Sequence, residues 1–198
     1  MLCLTHPTDP RWAEIALGDL DALLADHAHC EMKAASNALS LSTRWPATPR
    51  IARALIDLAE EELRHFRAVV DELARRNIPL GRPEVDAYAA ELRKIAQAGG
   101  KKGAEASFVD RLLVGALIEA RSCERFRMLA DALAARGDAL APFYEELFAS
   151  EARHYRVLLD LAIEVAGDEG AVRARLDALS RAEGELCRTL GTRPSIHG

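Results

Sequence analysis

Two short motifs constrain this chain more than any bulk property does: Glu62-Leu63-Arg64-His65 and Glu151-Ala152-Arg153-His154. On an α-helix, residues i and i+3 share one face a turn apart, so each motif sets a carboxylate beside an imidazole. The surrounding residues favour helix. Hydrophobic residues make up 49% of the chain but aromatics only 5%. Ala and Leu dominate instead of the β-branched and aromatic residues that a packed sheet uses.

Proline and glycine divide the 198 residues into a plain order of elements. A first long helix is expected from about Pro10 to Thr43, with Asp9 a candidate cap. Trp45-Pro46-Ala47-Thr48-Pro49 reads as a turn, with Thr48 capping a second helix that opens at Pro49 and runs to about Arg76. A short helix between Pro83 and Ala98 and the basic break Gly99-Gly100-Lys101-Lys102-Gly103 form a long connection. A third helix follows from Ala104 or Ser107 to Arg136, and a fourth ends near Ala166. A last amphipathic helix, about Glu169 to Leu190, precedes a polar tail; residues 1–9 and 191–198 are expected to be loose. The pattern is an all-α single domain of two short-looped antiparallel hairpins joined by a long crossover, the connectivity of ferritin-like four-helix bundles.

Heptad-like spacing marks an inward stripe on each long helix. The stripes read Leu17, Leu20, Leu24, His27, Glu31, Ala34, Ala38, Leu41; Ile51, Leu55, Leu58, Glu62, His65, Val69; Leu112, Ala116, Glu119, Cys123, Phe126, Ala130, Leu133; and Leu147, Glu151, His154, Leu158, Leu161, Val165. Each is apolar except near its middle, where a carboxylate intrudes. A buried unpaired carboxylate costs several kcal/mol, so four at one depth require a strongly cationic partner. Two imidazoles in the same layer select transition-metal ions, iron or manganese, over calcium or magnesium. Glu31, Glu62, His65, Glu119, Glu151 and His154 then match the ligand set of di-iron carboxylate bundles.

Spacing supports the set: Glu31 to Glu62 is 31 residues and Glu119 to Glu151 is 32, which places the pairs at comparable depth in antiparallel hairpins. Glu124 is a rival for Glu119, because Cys123-Glu124 echoes Cys30-Glu31, yet it stands only 27 residues before Glu151 and off the apolar stripe. Glu119 is therefore the favoured ligand, and Glu124 is then an outer support or faces substrate. His27, one turn from Glu31, is either an outer support of that carboxylate or an ordinary core histidine. Cys30 and Cys123 read as small core fillers, Tyr144 and Tyr155 as packing residues, and Arg64 and Arg153 as solvated or paired with outer carboxylates.

The four cysteines lie far apart, as suits free thiols in a reducing cytoplasm. A net charge of −5 gives no overall basic footprint for nucleic acid. No stretch has the roughly 18 apolar residues of a membrane span, and the N-terminus lacks the apolar centre of a secretion signal. A cytoplasmic location is expected.

Several stretches carry a more specific likeness. Asp26-His27-Ala28-His29-Cys30-Glu31-Met32-Lys33-Ala34-Ala35, Glu60-Glu61-Glu62-Leu63-Arg64-His65-Phe66, Glu119-Ala120-Arg121-Ser122-Cys123-Glu124-Arg125-Phe126 and Ser150-Glu151-Ala152-Arg153-His154-Tyr155 resemble the tRNA-(2-methylthio-N6-isopentenyladenosine) hydroxylase family, MiaE, from about Leu17 to Cys187. The resemblance implies a ferritin-like, non-haem di-iron monooxygenase that hydroxylates the isopentenyl side chain of a modified adenosine in tRNA. It also implies two iron ions, O2, an external electron donor with an electron-transfer partner, and the six ligands named above. Arg44, Arg50, Arg53, Lys94, Lys101 and Lys102 are candidate phosphate contacts. Two other readings share the helical pattern: a ferritin- or rubrerythrin-like protein that oxidises iron or reduces peroxide, and a metal-free helical interaction protein.

Overall fold

A computed structural model of the protein describes residues 2–44, 48–100, 103–189 and 193–197. Among them are seven α-helices and no strand: α1 (Arg11–Gly18), α2 (Leu20–Ser42), α3 (Pro49–Arg76), α4 (Ala87–Gly99), α5 (Ala104–Ala135), α6 (Ala141–Ala166) and α7 (Glu169–Cys187). The turn residues Trp45-Pro46-Ala47, the pair Lys101-Lys102, and Leu190 at the end of the last expected helix lie outside the described residues.

Helix boundaries follow local chemistry, with two departures from expectation. The first long helix is divided, because Gly18 is a poor helix former and the Asp19 carboxylate accepts the Ala22 N–H at 3.0 Å, starting α2 afresh. Pro49 occupies the first turn of α3 as expected, but the Thr48 hydroxyl makes no cap hydrogen bond. Asn77, in the left-handed region at φ 58°, closes α3, and Ile78 N–H returns to Leu73 C=O at 2.9 Å. Asp86 and Asp168 cap α4 and α7 through the N–H groups of Ala89 and Ala171.

The backbone groups into two compact units, Ile15–Val85 with Arg193–Ile196, and Met1–Glu14 with Asp86–Thr192 and His197–Gly198. The first is built on the α2–α3 hairpin. Its helices bury one face: Leu24, His27, Glu31, Ala38 and Leu41 on α2, and Ile51, Leu55, Leu58, Glu62 and Val69 on α3. Three stripe positions, Leu20, Ala34 and His65, are only half-buried. His29 Nε2 lies 3.1 Å from Leu80 C=O, tying α2 to the segment after α3.

The second unit is built on the α5–α6 hairpin, with α4 against α5 and α7, and α7 against α5 and α6. Here α5 is covered on nearly every side from Phe108 to Leu133. Its wide buried surface explains why a single stripe describes it poorly.

Both termini make tertiary contacts where they are described. Cys3 C=O accepts from Ser180, Thr5 Oγ1 donates to Ser180 C=O at 3.0 Å, and Thr8 is buried against Glu124. The segment crosses α7 at Gly184, where a Cβ would come within 2.2 Å of the His6 ring. In the tail, Ile196 N–H donates to Asp26 at 2.7 Å within the first unit. His197, within the second, stacks on Tyr88 at 5.1 Å and meets Ser122 Oγ at 3.0 Å. These polar contacts span 75 to 177 positions in the sequence, so local reading does not reveal them.

Candidate metal centre

In the α2–α3 unit, the helical period brings Glu31, Glu62 and His65 together. His65 Nδ1 stands 3.4 Å from Glu62 Oε2 and 3.8 Å from Glu31 Oε2. One donor atom from each of the three lies within 4.8 Å of the others. Ligands at about 2.0–2.2 Å from one ion stand roughly 3 to 3.5 Å apart, so small side-chain adjustments suffice to close this trio on a cation. Glu62 is fully buried and Glu31 nearly so. His27, with no exposure, places Nε2 2.6 Å from Glu31 Oε1. The imidazole is therefore paired with the carboxylate, a contact that fits both readings open for it in the sequence.

The α5–α6 unit repeats the donor set. Glu119, Glu151 and His154 are buried, and one donor atom from each lies within 4.8 Å of the others. His154 Nδ1 is 3.9 Å from Glu151 Oε1. Two carboxylates and an imidazole in each unit form a mixed oxygen–nitrogen set that suits iron or manganese.

Glu124 has a different task. Its carboxylate takes the Thr8 N–H at 3.1 Å, the Thr8 hydroxyl at 2.6 Å and an ion pair from Arg121 Nη1. Arg121, also without exposure, forks onto Glu183 through Nε and Nη2, both at 2.8 Å, and reaches His6 C=O at 3.0 Å. Tyr88 adds its hydroxyl to Glu183 at 2.9 Å and Cys187 its thiol at 3.0 Å. Arg125 lies 4.9 Å from the centre of the Trp12 ring, a cation–π distance.

These surroundings shift the titrating groups. Burial by itself would lower the Arg121 pKa, but the hydrogen bond and charge of Glu183 outweigh it and hold the guanidinium protonated. Burial, then the Glu183 charge, pushes the Cys187 thiol up to about 12 and holds the Tyr88 phenol well above its usual range. Burial followed by Glu119 and Glu124 raises Cys123 to about 11.

Sequence reading did not single out Arg121, Glu183, Thr8 and Tyr88 as a connected group. The available signal was the Arg121/Glu124 pair at i, i+3 on a helix otherwise lined with apolar residues. Tyr144 packs against Phe126 and Phe143, in line with a packing role. Tyr155 is buried and hydrogen-bonds Cys3, and burial leads the causes that raise its phenol. Arg64 is exposed; Arg153 donates to Ser150 Oγ at 3.1 Å and Ala149 C=O at 3.2 Å. Among the phosphate-contact candidates, Arg50 and Arg53 are exposed on α3, Arg44 donates to Ser40 Oγ at 2.9 Å, and Lys94 pairs with Glu91 at 2.5 Å. Lys101 and Lys102 lie outside the described residues. No helix among the described residues is long and apolar enough to cross a membrane.

Two helical hairpins, each with a Glu/Glu/His trio whose carboxylates are buried, define a ferritin-like carboxylate–histidine protein of the di-iron oxygenase class. A solved structure titled "Protein 43 with aldehyde deformylating oxygenase activity from Synechococcus" matches with a TM-score of 0.86 and 33% identity, covering 100% of this chain and 96% of the other. The chain belongs to the tRNA-(MS[2]IO[6]A)-hydroxylase (MiaE) family, whose pattern matches residues 1–198. A relative from Pseudomonas putida, named tRNA 2-(methylsulfanyl)-N(6)-isopentenyladenosine(37) hydroxylase, is 40% identical over 92% of this chain and 85% of its own length. A protein of the same name from Salmonella typhimurium is 30% identical over 85% of this chain and 78% of its own length. The family favours the hydroxylase reading over the iron-storing or peroxide-reducing one.

Proposed function

We propose that this chain, acting as one ferritin-like domain in the cytoplasm, hydroxylates the isopentenyl side chain of 2-methylthio-N6-isopentenyladenosine in tRNA. The ligands of its iron pair are Glu31, Glu62 and His65 from one hairpin and Glu119, Glu151 and His154 from the other. The observation that carries this reading is the repeated Glu/Glu/His trio within a chain whose whole length matches the hydroxylase family. When bound, two ferrous ions would supply the activation of O2, by which one oxygen atom would enter a C–H bond and the other would leave as water, with two electrons from an external donor and two protons from solvent.

The chain's own residues supply the setting. Four buried carboxylates provide the negative charge that draws two cations into an apolar interior, and the two imidazoles complete the set with neutral nitrogen. The apolar neighbours on each stripe, Leu58 and Val69 on α3 and Leu147 and Leu158 on α6, are buried and limit water around the reacting groups. An electron-transfer protein is the proposed second partner, because a hydroxylation of this kind consumes two electrons from an external donor.

Mass spectrometry of tRNA nucleosides from cells with and without the protein tests the activity. The hydroxylated side chain should vanish when the protein is absent and return with its expression. An unchanged ratio of hydroxylated to unhydroxylated nucleoside would sink the reading.

A further inference from the structure

α3 carries two seams of the same spacing. The inward one is Ile51, Leu55, Leu58, Glu62, His65 and Val69, all buried except His65. One position later the steps of four and three residues recur at Ala52, Ile56, Ala59, Leu63, Phe66 and Val70, which is coiled-coil spacing. One residue is about 100° around a helix, so this second seam runs along the edge of the buried face. Ala59 is buried there, Ala52, Phe66 and Val70 are half-buried, and Ile56 and Leu63 remain 40% and 47% exposed. Isolated exposed apolar side chains need no explanation; a row of them on one helix marks a contact surface.

Beyond the seam lie six exposed charges, Arg53, Asp57, Glu60, Arg64, Arg67 and Asp71. Their signs reverse about Glu62. Glu60 and Arg64 stand two residues to either side of it, Asp57 and Arg67 five, and Arg53 and Asp71 nine. Three positive and three negative charges leave no net field for a nucleic acid or for a partner of one sign. They suit a copy of the same helix. When two copies lie antiparallel across a two-fold axis, positions equally far from the axis on opposite sides face each other. With the axis at the level of Glu62, each of the six charges meets its opposite. The apolar residues share nearly the same centre, since Ile56 and Val70 are each seven residues from Leu63.

We propose that this face of α3 joins two copies of the chain as a weak, antiparallel, two-fold dimer. Glu60 pairs with Arg64 of the second copy, Asp57 with Arg67 of the second copy, and Leu63 packs on its counterpart. From Arg53 to Asp71 is about 27 Å of helix, and a helix is about 10 Å across. The face therefore offers on the order of 300 Å² per copy, against roughly 800 Å² in a stable complex. Association is accordingly transient, and dilute protein is monomeric. The pairing is independent of the ligand set proposed above.

The same charges also stand as i, i+4 pairs within one helix, Arg53/Asp57, Glu60/Arg64 and Arg67/Asp71, so the test must separate the two uses. Charge reversal across copies does so. Glu60→Arg creates two like-charge contacts in its own dimer, and Arg64→Glu does the same with the opposite sign. Sedimentation equilibrium of the full chain from about 10 µM to about 1 mM measures each variant alone and the two mixed, and circular dichroism checks the helices. Wild type should dimerise in that range and weaken several-fold at high salt. Each reversal alone should weaken the dimer by about 10-fold, and Leu63→Lys by at least as much. The equimolar mixture should return to within about three-fold of wild type, with the heterodimer in excess of either homodimer by native mass spectrometry. Asp57→Arg mixed with Arg67→Asp is the same cross at the next pair, and it decides if either first variant is unfolded. Wild type that stays monomeric up to about 1 mM overturns the proposal. So does a dimer indifferent to Leu63→Lys, or a mixture no tighter than its components.

Discussion

The two hairpins present the same trio of donors on helices that are supported in different ways. In the α2–α3 unit the support is local: His27 reaches Glu31 across one turn of the same helix. In the α5–α6 unit the support is tertiary: Arg121 on α5 is clamped by Glu183 from α7, by Glu124 and by the segment around Thr8. A one-turn contact constrains one carboxylate and little else. A buried guanidinium with its acceptors satisfied fixes a whole helix, because removing any partner strands a charge away from water. The same chemistry is thus held once by a side chain and once by a network.

The largest expected effect tests whether the trios are equivalent in function. Glu62→Ala and His154→Ala, one from each unit, should each lower hydroxylation by roughly 10³-fold or more, beyond the 10- to 100-fold expected for an outer support. Circular dichroism should remain helical, and iron content should fall in both. Full activity in either variant would break the symmetry on which the comparison rests.

Next comes the difference in support. Arg121→Leu strands Glu124 and Glu183 and should destabilise the protein by about 3–5 kcal/mol, the usual cost of removing one partner from a buried ion pair. Chemical denaturation measures it. Arg64→Leu, an exposed arginine on the ligand helix of the other unit, should change stability by less than about 0.5 kcal/mol. Similar losses from the two would show that the network does not carry its unit.

A smaller effect follows from pH. The Cys187 thiol is raised from about 9 to about 12, mainly by burial and then by Glu183. A folded pKa above the unfolded one means that the stabilisation is complete below about pH 9 and is lost as pH rises toward 12. Because Cys187 is partly exposed, the loss by pH 10.5 should be about 1 kcal/mol. Cys187→Ala should show a correspondingly flatter decline in thermal stability over that range. Identical pH profiles for the two proteins would remove Cys187 from the network's energetics.

The smallest effects concern RNA. Arg53→Ala should reduce the salt dependence of tRNA binding by about one unit of slope. Lys94→Ala should leave the slope unchanged, because Lys94 already pairs with Glu91. Equal effects at the two positions would make Arg53 ordinary surface charge.

Legibility differed among residues for a physical reason. The Glu-x-x-His motifs, the apolar stripes and most helix ends were readable because helix geometry and turn chemistry act over three or four residues. The division of the first helix at Asp19 was missed, although Gly18-Asp19 carried the signal. In the sequence, spacing and the apolar stripe favour Glu119 over Glu124. Tertiary contacts then engaged Glu124 with Thr8 and Arg121, which supports Glu119 as the ligand. The Cys-Glu echo between Cys30-Glu31 and Cys123-Glu124 pointed the other way, because it compares neighbours in sequence and ignores which side of α5 each residue occupies.

The sequence by itself determined a helical chain of two hairpins, the positions of six candidate ligands and, through its family likeness, the class of reaction. These depend on period, composition and motif, all local. Only the tertiary structure decided that His27 pairs with Glu31, that the N-terminal segment crosses α7 at Gly184, and that Arg121 joins Glu124 to Glu183. Those outcomes depend on burial: a polar group removed from water must find its partner wherever the fold brings one, and that partner can be a hundred residues away.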